Sequence, residues 1–346
     1  MYYFCNDYGA GAHPAVLEAV NSINNSTFPG YGEDEICAEA ATLIKKACAC
    51  PGADVHFLIG GTGANFTAIC AFLRPWEAVI SPVTGHINGH EVGAVEATGH
   101  KIIPIPAGSD GKLSPRLLPP VLLEYSHLHM VKPRLVYISQ ATESGMVYTR
   151  AELEALSAFC KANDLLLFLD GARLGAALSS PACDVTLPDL ARLTDAFYIG
   201  GTKNGAFMGE ALVIVNPALQ PDFFRVQKQR GGVLAKGFLL GAQFKALFTN
   251  DLYLSIGRHA DELAARLQDG LKALGWPLMV DSPTNQIFPV VPNSLLPRLE
   301  ELCFFNTWCP MDEDHTVIRF VTFFATKQED VDGLLSALSK KPFRLL

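Results

Sequence analysis

Two short apolar runs, each ending in glycine or charge, constrain this chain more than any other feature. Leu165, Leu166, Leu167, Phe168 and Leu169 lead without a polar break into Asp170-Gly171-Ala172-Arg173. Ala196, Phe197, Tyr198 and Ile199 lead into Gly200-Gly201-Thr202-Lys203-Asn204-Gly205. Neither run alternates and both have the length of a strand, which suits a parallel sheet buried on both faces. Ligands of such sheets sit beyond the carboxyl ends of the strands. Asp170, Arg173 and Lys203 are therefore expected to converge on one crevice.

The chemistry of these residue types is informative. A carboxylate at the end of a buried strand is unfavourable unless something positive meets it. A lysine among small residues can approach a ligand closely and can lose its proton in a dry site. Together they fit pyridoxal 5′-phosphate (PLP), with the aspartate keeping the pyridine nitrogen protonated and the lysine carrying the cofactor as a Schiff base. Taken singly, a helix-capping Asp and a surface Lys are the simpler readings. The ordered combination of the two strand exits favours the cofactor.

A third strand, Val55 to Ile59, is followed by Gly60-Gly61-Thr62-Gly63-Ala64-Asn65 and then by a helical stripe of Phe66, Ile69, Cys70 and Leu73. Glycines leading into a helix N-terminus expose backbone N–H groups to an anion. The N–H groups of Gly61, Thr62 and Gly63, with the Thr62 hydroxyl, are expected to seat the PLP phosphate. The rival is a dinucleotide fingerprint, which would make this a colourless nucleotide- or NAD-binding protein. It fails in detail: Phe66 stands where the third glycine belongs, and the strand Ala78 to Ser81 ends in Ser81, not in an acid for a ribose.

The 346 residues suggest about two domains. Charged residues make up 18%, below the roughly 25% usual for soluble domains, so part of the surface is expected to be covered by other subunits. A net charge of −8 and a pI near 5.6 argue against nucleic acid or an anionic membrane as partner. No apolar stretch approaches the roughly 20 residues of a membrane span. Met1 to Asp7 lacks the basic and apolar regions of a signal peptide. Nine scattered cysteines, with Cys48-Ala49-Cys50 wrongly spaced for a zinc knuckle, read as reduced thiols in the cytoplasm.

Elsewhere, Thr149 and Glu152 form a capping box whose helix crosses over into the Leu165 strand. One long helix from Gly237 to about Leu254 is expected to link two domains. Leu263, Leu267, Leu271 and Leu274 mark another, closed by Gly275. The expected division is an N-terminal arm over 1–14, a large cofactor domain over 15–250 and a small C-terminal domain over 251–346. Arg225, Lys228, Arg230 and Lys236, around Gly231-Gly232, form either an exposed anion-binding loop or a solvated helix face. Arg319, in mid-strand, needs an acceptor, either a substrate carboxylate or a structural ion pair. His127 and His129 have no further ligands near them in sequence, so no metal is expected.

The two strand exits, Asp170 to Arg173 and Gly200 to Gly205, resemble those of the low-specificity L-threonine aldolases. These are PLP enzymes of the aspartate-aminotransferase-like fold (fold type I), within the β-eliminating lyase/threonine aldolase group. The resemblance runs from about Asn6 to about Thr322. It implies an α/β architecture, with a large, doubly wound, mostly parallel sheet domain and a smaller α+β C-terminal domain. It implies cleavage of L-threonine, L-allo-threonine or phenylserine-like β-hydroxy-α-amino acids to glycine and an aldehyde. Lys203 and Asp170 take the roles given above, His86 stacks on the pyridine ring, and His129 handles the substrate hydroxyl. Asn6 belongs to a motif near the substrate, Tyr31 lies at the site mouth, and Arg173 and Arg319 hold the carboxylate. The resemblance also implies a homodimer or homotetramer with active sites at subunit interfaces, and a basic-loop residue near the phosphate. The catalytic base stays open among His86, His129 and an ordered water. A β-eliminating lyase or aminotransferase of the same fold would share Asp170 and Lys203 and differ in its substrate contacts.

Overall fold

The structure is a computed structural model and describes residues 1–340 and Phe343. The apolar runs do form the centre of a sheet. Its strands are β2 (Asp54–Leu58), β3 (Glu77–Pro82), β4 (Ile102–Ile105), β5 (Lys132–Ser139), β6 (Leu166–Asp170), β7 (Ala196–Gly200) and β8 (Glu210–Ile214), in the spatial order β2-β8-β7-β6-β5-β3-β4. All pairs from β7 to β4 are parallel, and β8 alone runs against its neighbours β7 and β2.

Side chains alternate between two apolar layers, as the period of a strand requires. Leu167, Leu169, Phe197, Ile199, Ala211 and Val213 enter one core, which is covered by helices such as Glu35–Ala47 and Arg150–Ala162. Leu166, Phe168, Ala196, Tyr198, Leu212 and Ile214 enter the other, against the helix Gly61–Phe72. Helices on both faces explain why the strands read as continuous apolar runs.

The remainder of the chain is a smaller α+β unit. There β10 (Val290–Pro292), β13 (His315–Val321) and β12 (Asn306–Pro310) form an antiparallel sheet, and β9 (Gln286–Ile287) pairs with the end of β13. The N-terminal β1 (Tyr2–Tyr3) pairs with β11 (Cys303–Phe304), and Phe4 is buried in this unit's core. The arm is thereby tied to the small unit.

The expected long helix from Gly237 to Leu254 is in fact two. Phe238–Leu247 ends, the chain turns through Asn250 and Asp251 in left-handed conformations (φ 54° and 59°), and a 22-residue helix, Leu252–Ala273, then crosses between the two units. Residues such as Asn and Asp tolerate that conformation because their short polar side chains bond locally. The second helix carries Leu263, Leu267 and Leu271, and Gly275 follows it at φ 80°.

This crossing helix buries one anomalous group. Asp261 is 6% exposed, and among the described residues neither carboxyl oxygen has a hydrogen bond of good geometry, the Asn285 N–H being the one donor that acts on it. Burial pushes its carboxyl up to about 9. The folded protein therefore holds a proton there that the unfolded chain releases above its ordinary carboxyl pKa. Stability from this site is full in acid and is lost as the pH rises toward that value. Asp261→Asn is expected to stabilise the protein by on the order of 2 kcal/mol near pH 8 and by almost nothing near about pH 4. Thermal unfolding of both forms at the two pH values tests this, and an equal effect at both would refute it.

Candidate active site

The exits of β6 and β7 interlock. The Gly200 N–H donates to the Gly171 carbonyl at 2.9 Å. A Cβ on Gly171 would stand 1.9 Å from the Tyr198 carbonyl oxygen, and one on Gly200 would stand 2.3 Å from that of Ala172. Only glycine permits this approach, which sets Asp170 and Lys203 on the wall of one cleft of about 520 Å³.

Asp170 is 4% exposed and saturated with donors. The Tyr137 and Tyr198 hydroxyls each donate at 2.5 Å, the Ala172 N–H at 2.9 Å and the Asn65 side-chain amide at 3.0 Å. Burial alone would raise its pKa. The hydrogen bonds, Tyr137 first and then Tyr198, outweigh burial and hold it below the usual carboxylate range. Asp170 is thus a fixed buried anion.

Lys203 faces it without an ion pair among the described residues. Burial, reinforced by the positive charge of Arg173, lowers its pKa. Arg173 is itself committed, since its Nε donates to Asp7 Oδ2 at 2.7 Å and a terminal nitrogen donates to Oδ1 at 3.2 Å. Asp7 is 1% exposed and also accepts from the Asn285 amide at 3.1 Å. Arg319 differs: its guanidinium lies 5.0 Å from the Trp308 ring centre, one terminal nitrogen donates to Gln286 at 3.1 Å, and its Nε has no partner among the described residues. Burial, then the nearby Arg173 charge, pull its pKa down to about 10. No carboxylate among the described residues pairs with it, so the structural ion pair considered above is not what β13 provides.

His86 opens the short helix His86–Gly89, and its Nδ1 lies 2.8 Å from Glu91 Oε1. Burial pulls its pKa down, but the bond to Glu91 and the charges of Glu143 and Asp170 outweigh this and raise it. Asn65 donates to the same Glu91 oxygen at 2.8 Å as well as to Asp170. One amide thus joins the histidine pair to the buried aspartate. His90 also lines the cleft.

At the other end of the cleft Gly60, Gly61 and Thr62 line the wall at the start of the helix Gly61–Phe72. No side chain caps that N-terminus. Its free first-turn N–H groups, the unpaired Lys203 and the anionic Asp170 fit the phosphate, the aldehyde carbon and the pyridinium of PLP respectively. Gly63 lies within that first turn and contributes backbone only.

Three expected residues lie elsewhere. Asn6 spends its side chain on the arm, donating to the Tyr3 hydroxyl at 2.9 Å and accepting from the Tyr8 N–H at 3.0 Å; its neighbour Asp7 is the one that turns inward. Tyr31 is exposed, packs under Lys228 with 4.1 Å from Nζ to ring centre, and lines a separate cavity with Asp34, His56 and Gln227. His129 is exposed on the turn before β5, stacked on His127. That turn is at the amino ends of the parallel strands, whereas the cleft is at their carboxyl ends, so His129 takes no part in the cleft of its own chain. The basic stretch is largely the helix Phe223–Gln229, with Arg225 paired to Asp222 and Arg230 against the Cys70 sulfur. Glu91, Asn65, Tyr137, Tyr198, Glu210 and Trp308 carry no sequence mark of a site.

A lysine and a donor-saturated aspartate at the carboxyl ends of β6 and β7 define a PLP-dependent enzyme of fold type I. Solved structures agree. The chain superimposes on a Leishmania major threonine aldolase with a TM-score of 0.96 and 46% identity, covering 98% of this chain and 100% of that one. A Thermus thermophilus aspartate aminotransferase shares the fold at 14% identity and a TM-score of 0.72, covering 98% and 91%. In sequence, low specificity L-threonine aldolases of Pseudomonas aeruginosa and of a Pseudomonas species are 32% and 33% identical over 301 residues, 86% of this chain and 84% of each relative. Residues 10–294 match the beta-eliminating lyase family, and the chain belongs to it.

The Asp7–Arg173 pair makes one energetic prediction. Removing one partner of a buried ion pair leaves the other uncompensated. Asp7→Asn is expected to destabilise the cofactor-free protein by about 3 kcal/mol in urea unfolding. A change within about 0.5 kcal/mol would show that Arg173 is solvated without it.

Proposed function

We propose that this protein is a PLP-dependent aldolase that splits L-threonine, L-allo-threonine and related β-hydroxy-α-amino acids into glycine and an aldehyde. The observation that carries this reading is a single cleft holding an unpaired Lys203 between the Asp170 anion and two guanidinium groups. The threonine aldolases among the relatives favour aldol cleavage over amino transfer. Lys203 Nζ would hold the aldehyde carbon of PLP, Asp170 its pyridine nitrogen, and the N–H groups of Gly61, Thr62 and Gly63 its phosphate. When bound, PLP supplies the electron sink that accepts the charge left at Cα as the Cα–Cβ bond breaks.

The chain's own residues do the rest. Lys203, with its lowered pKa, presents a neutral amine more readily than a surface lysine. Arg319, the guanidinium without a carboxylate partner, takes the substrate carboxylate, and Arg173 borders the same site. Bidentate fixation by arginine sets the orientation of the bonds at Cα, and that orientation selects which of them breaks. The carboxylate of Glu91 can only accept, so the His86 Nδ1–H donates to it and the lone pair of Nε2 is left free. His86 Nε2 is our choice for the base that takes the β-hydroxyl proton. Trp308 and Ile59 on the cleft wall extend the substrate range to an aromatic substituent such as that of phenylserine.

Exposed Ile59 and Met208 at the rim, with the low charge content, support association of two or four copies around the cleft mouth. Nine free thiols support a reducing, cytoplasmic setting. No helix among the described residues is long and apolar enough to cross a membrane.

Purified protein given L-threonine is expected to release glycine and acetaldehyde in equal amounts. Lys203→Ala should lose both this activity, by more than about 10³-fold, and the visible absorbance of the loaded protein. Transfer of the amino group to a keto acid in place of aldehyde release would sink the aldolase reading. Glu91→Gln removes the charge that raises His86, so the acid limb of kcat/KM should move to lower pH. An unmoved limb would exclude His86 as the base.

A further inference from the structure

Glu210 is a buried carboxyl that the mechanism above does not use. It is the first residue of β8, 3% exposed, and it lines the cleft. The sheet order places it with little latitude. It lies opposite Leu58 at the end of β2, two residues before the glycine loop, and opposite Gly200 at the end of β7, three before Lys203. In the alternation of β8 it shares a face with Leu212 and Ile214, which is the face covered by the helix Gly61–Phe72. The Gly201 N–H donates to its Oε2 at 3.0 Å. The charged and titratable groups facing it are Lys203, Asp170, Tyr198 and Tyr253, and the loop Gly60–Gly63 brings none.

Resting on the phosphate seat assigned above, we propose that Glu210 is part of that seat and that its carboxyl, in the protonated form, donates its O–H to an oxygen of the cofactor phosphate. An ionised carboxylate beside a phosphate dianion would be repelled, whereas a carboxylic acid there is a donor. Burial is the main cause that pushes this carboxyl up to about 8, against the bonds from Thr202 and Gly201 and the charge of Lys203 that pull it down. The acid form therefore predominates at neutral pH and is lost in mild alkali. Glu210 acts here as a neutral ligand with a built-in alkaline limit.

Pyridoxamine 5′-phosphate and pyridoxamine test this on the cofactor-free protein. Neither has an aldehyde to bond Lys203, and the ratio of their dissociation constants isolates the phosphate from the ring. The dissociation constant of pyridoxamine divided by that of pyridoxamine 5′-phosphate, read by intrinsic fluorescence, is expected to fall about tenfold or more between about pH 7 and about pH 9.5 in the wild type. Glu210→Gln keeps a donor and cannot ionise, so its ratio should stay flat and near the neutral wild-type value. Glu210→Ala should be flat and weaker throughout. A Glu210→Gln ratio that falls with pH as the wild type does, or a wild-type ratio independent of pH, overturns the role of Glu210 and leaves the phosphate seat standing. A wild type without any preference for the phosphorylated compound overturns the seat and this inference with it.

Discussion

Burying Asp170 as an anion is the constraint on which the rest of the structure depends. A carboxylate 4% exposed is tolerable only where donors converge on it, and here they come from four places. Tyr137 is on β5, Tyr198 on β7, Asn65 on the helix Gly61–Phe72, and the Ala172 N–H is in the turn that follows Asp170 itself. A slip of one residue in β5 or β7 would turn its tyrosine into the opposite layer and leave the carboxylate short of a bond. Sheet register, helix docking and the electrostatics of the cleft are thus a single requirement, met at one side chain.

The other acids around the cleft show how the same burial gives opposite results. Asp7 meets an arginine fork and is held ionised below its usual range. Glu210 has no such fork: burial is the main cause that pushes it up and the Asp170 charge adds to it, while the bonds from Thr202 and Gly201 and the charge of Lys203 offset this only in part. Two carboxyls held low and one pushed up therefore stand around one cleft. All three are buried, so which way each goes follows from whether its partners outweigh burial, as they do at Asp7 and Asp170 and do not at Glu210.

Much of this was legible in the chain because the sheet is parallel. Its functional side chains cluster where apolar runs stop, so Asp170, Arg173 and Lys203, together with Gly61, Thr62 and His86, are marked by position. His129 lies outside its own chain's cleft by the same rule: it precedes a strand, so it stands at the amino end of the sheet. Tyr137 and Tyr198 were hidden because inside an apolar run they read as core. Counting parity back from Asp170 to Phe168, which pairs with Tyr137 on β5 and with Ala196, two before Tyr198, on β7, puts both tyrosines on the Asp170 face. Asp7 and Asn65 carry no such mark, since the bonds of Asp7 to Arg173 and of Asn65 to Glu91 and Asp170 span 166, 26 and 105 positions of the chain. The break before Leu252 was missed because apolar periodicity resumes after only a few polar residues.

The arginines show what the small unit adds to a sheet that already supplies the aspartate and the lysine. Arg173 comes from the large sheet, Asp7 from the arm and Arg319 from β13. The arm is fixed to the small unit by β1, by buried Phe4 and by the Val321 N–H donating to the Phe4 carbonyl at 2.8 Å, and Asn285 bonds both Asp7 and the Thr322 carbonyl. Two guanidinium groups and one carboxylate leave one positive charge beside Lys203. In the proposed reading, that charge balances one substrate carboxylate. Without Asp7, the two guanidinium groups would repel each other across the cleft and lower the Lys203 pKa further. With it, Arg173 is held as a neutralised wall and Arg319 is left to discriminate. The N-terminal arm therefore belongs to the cleft electrostatically, even though the side chain expected to reach it, Asn6, is spent on Tyr3 and Tyr8.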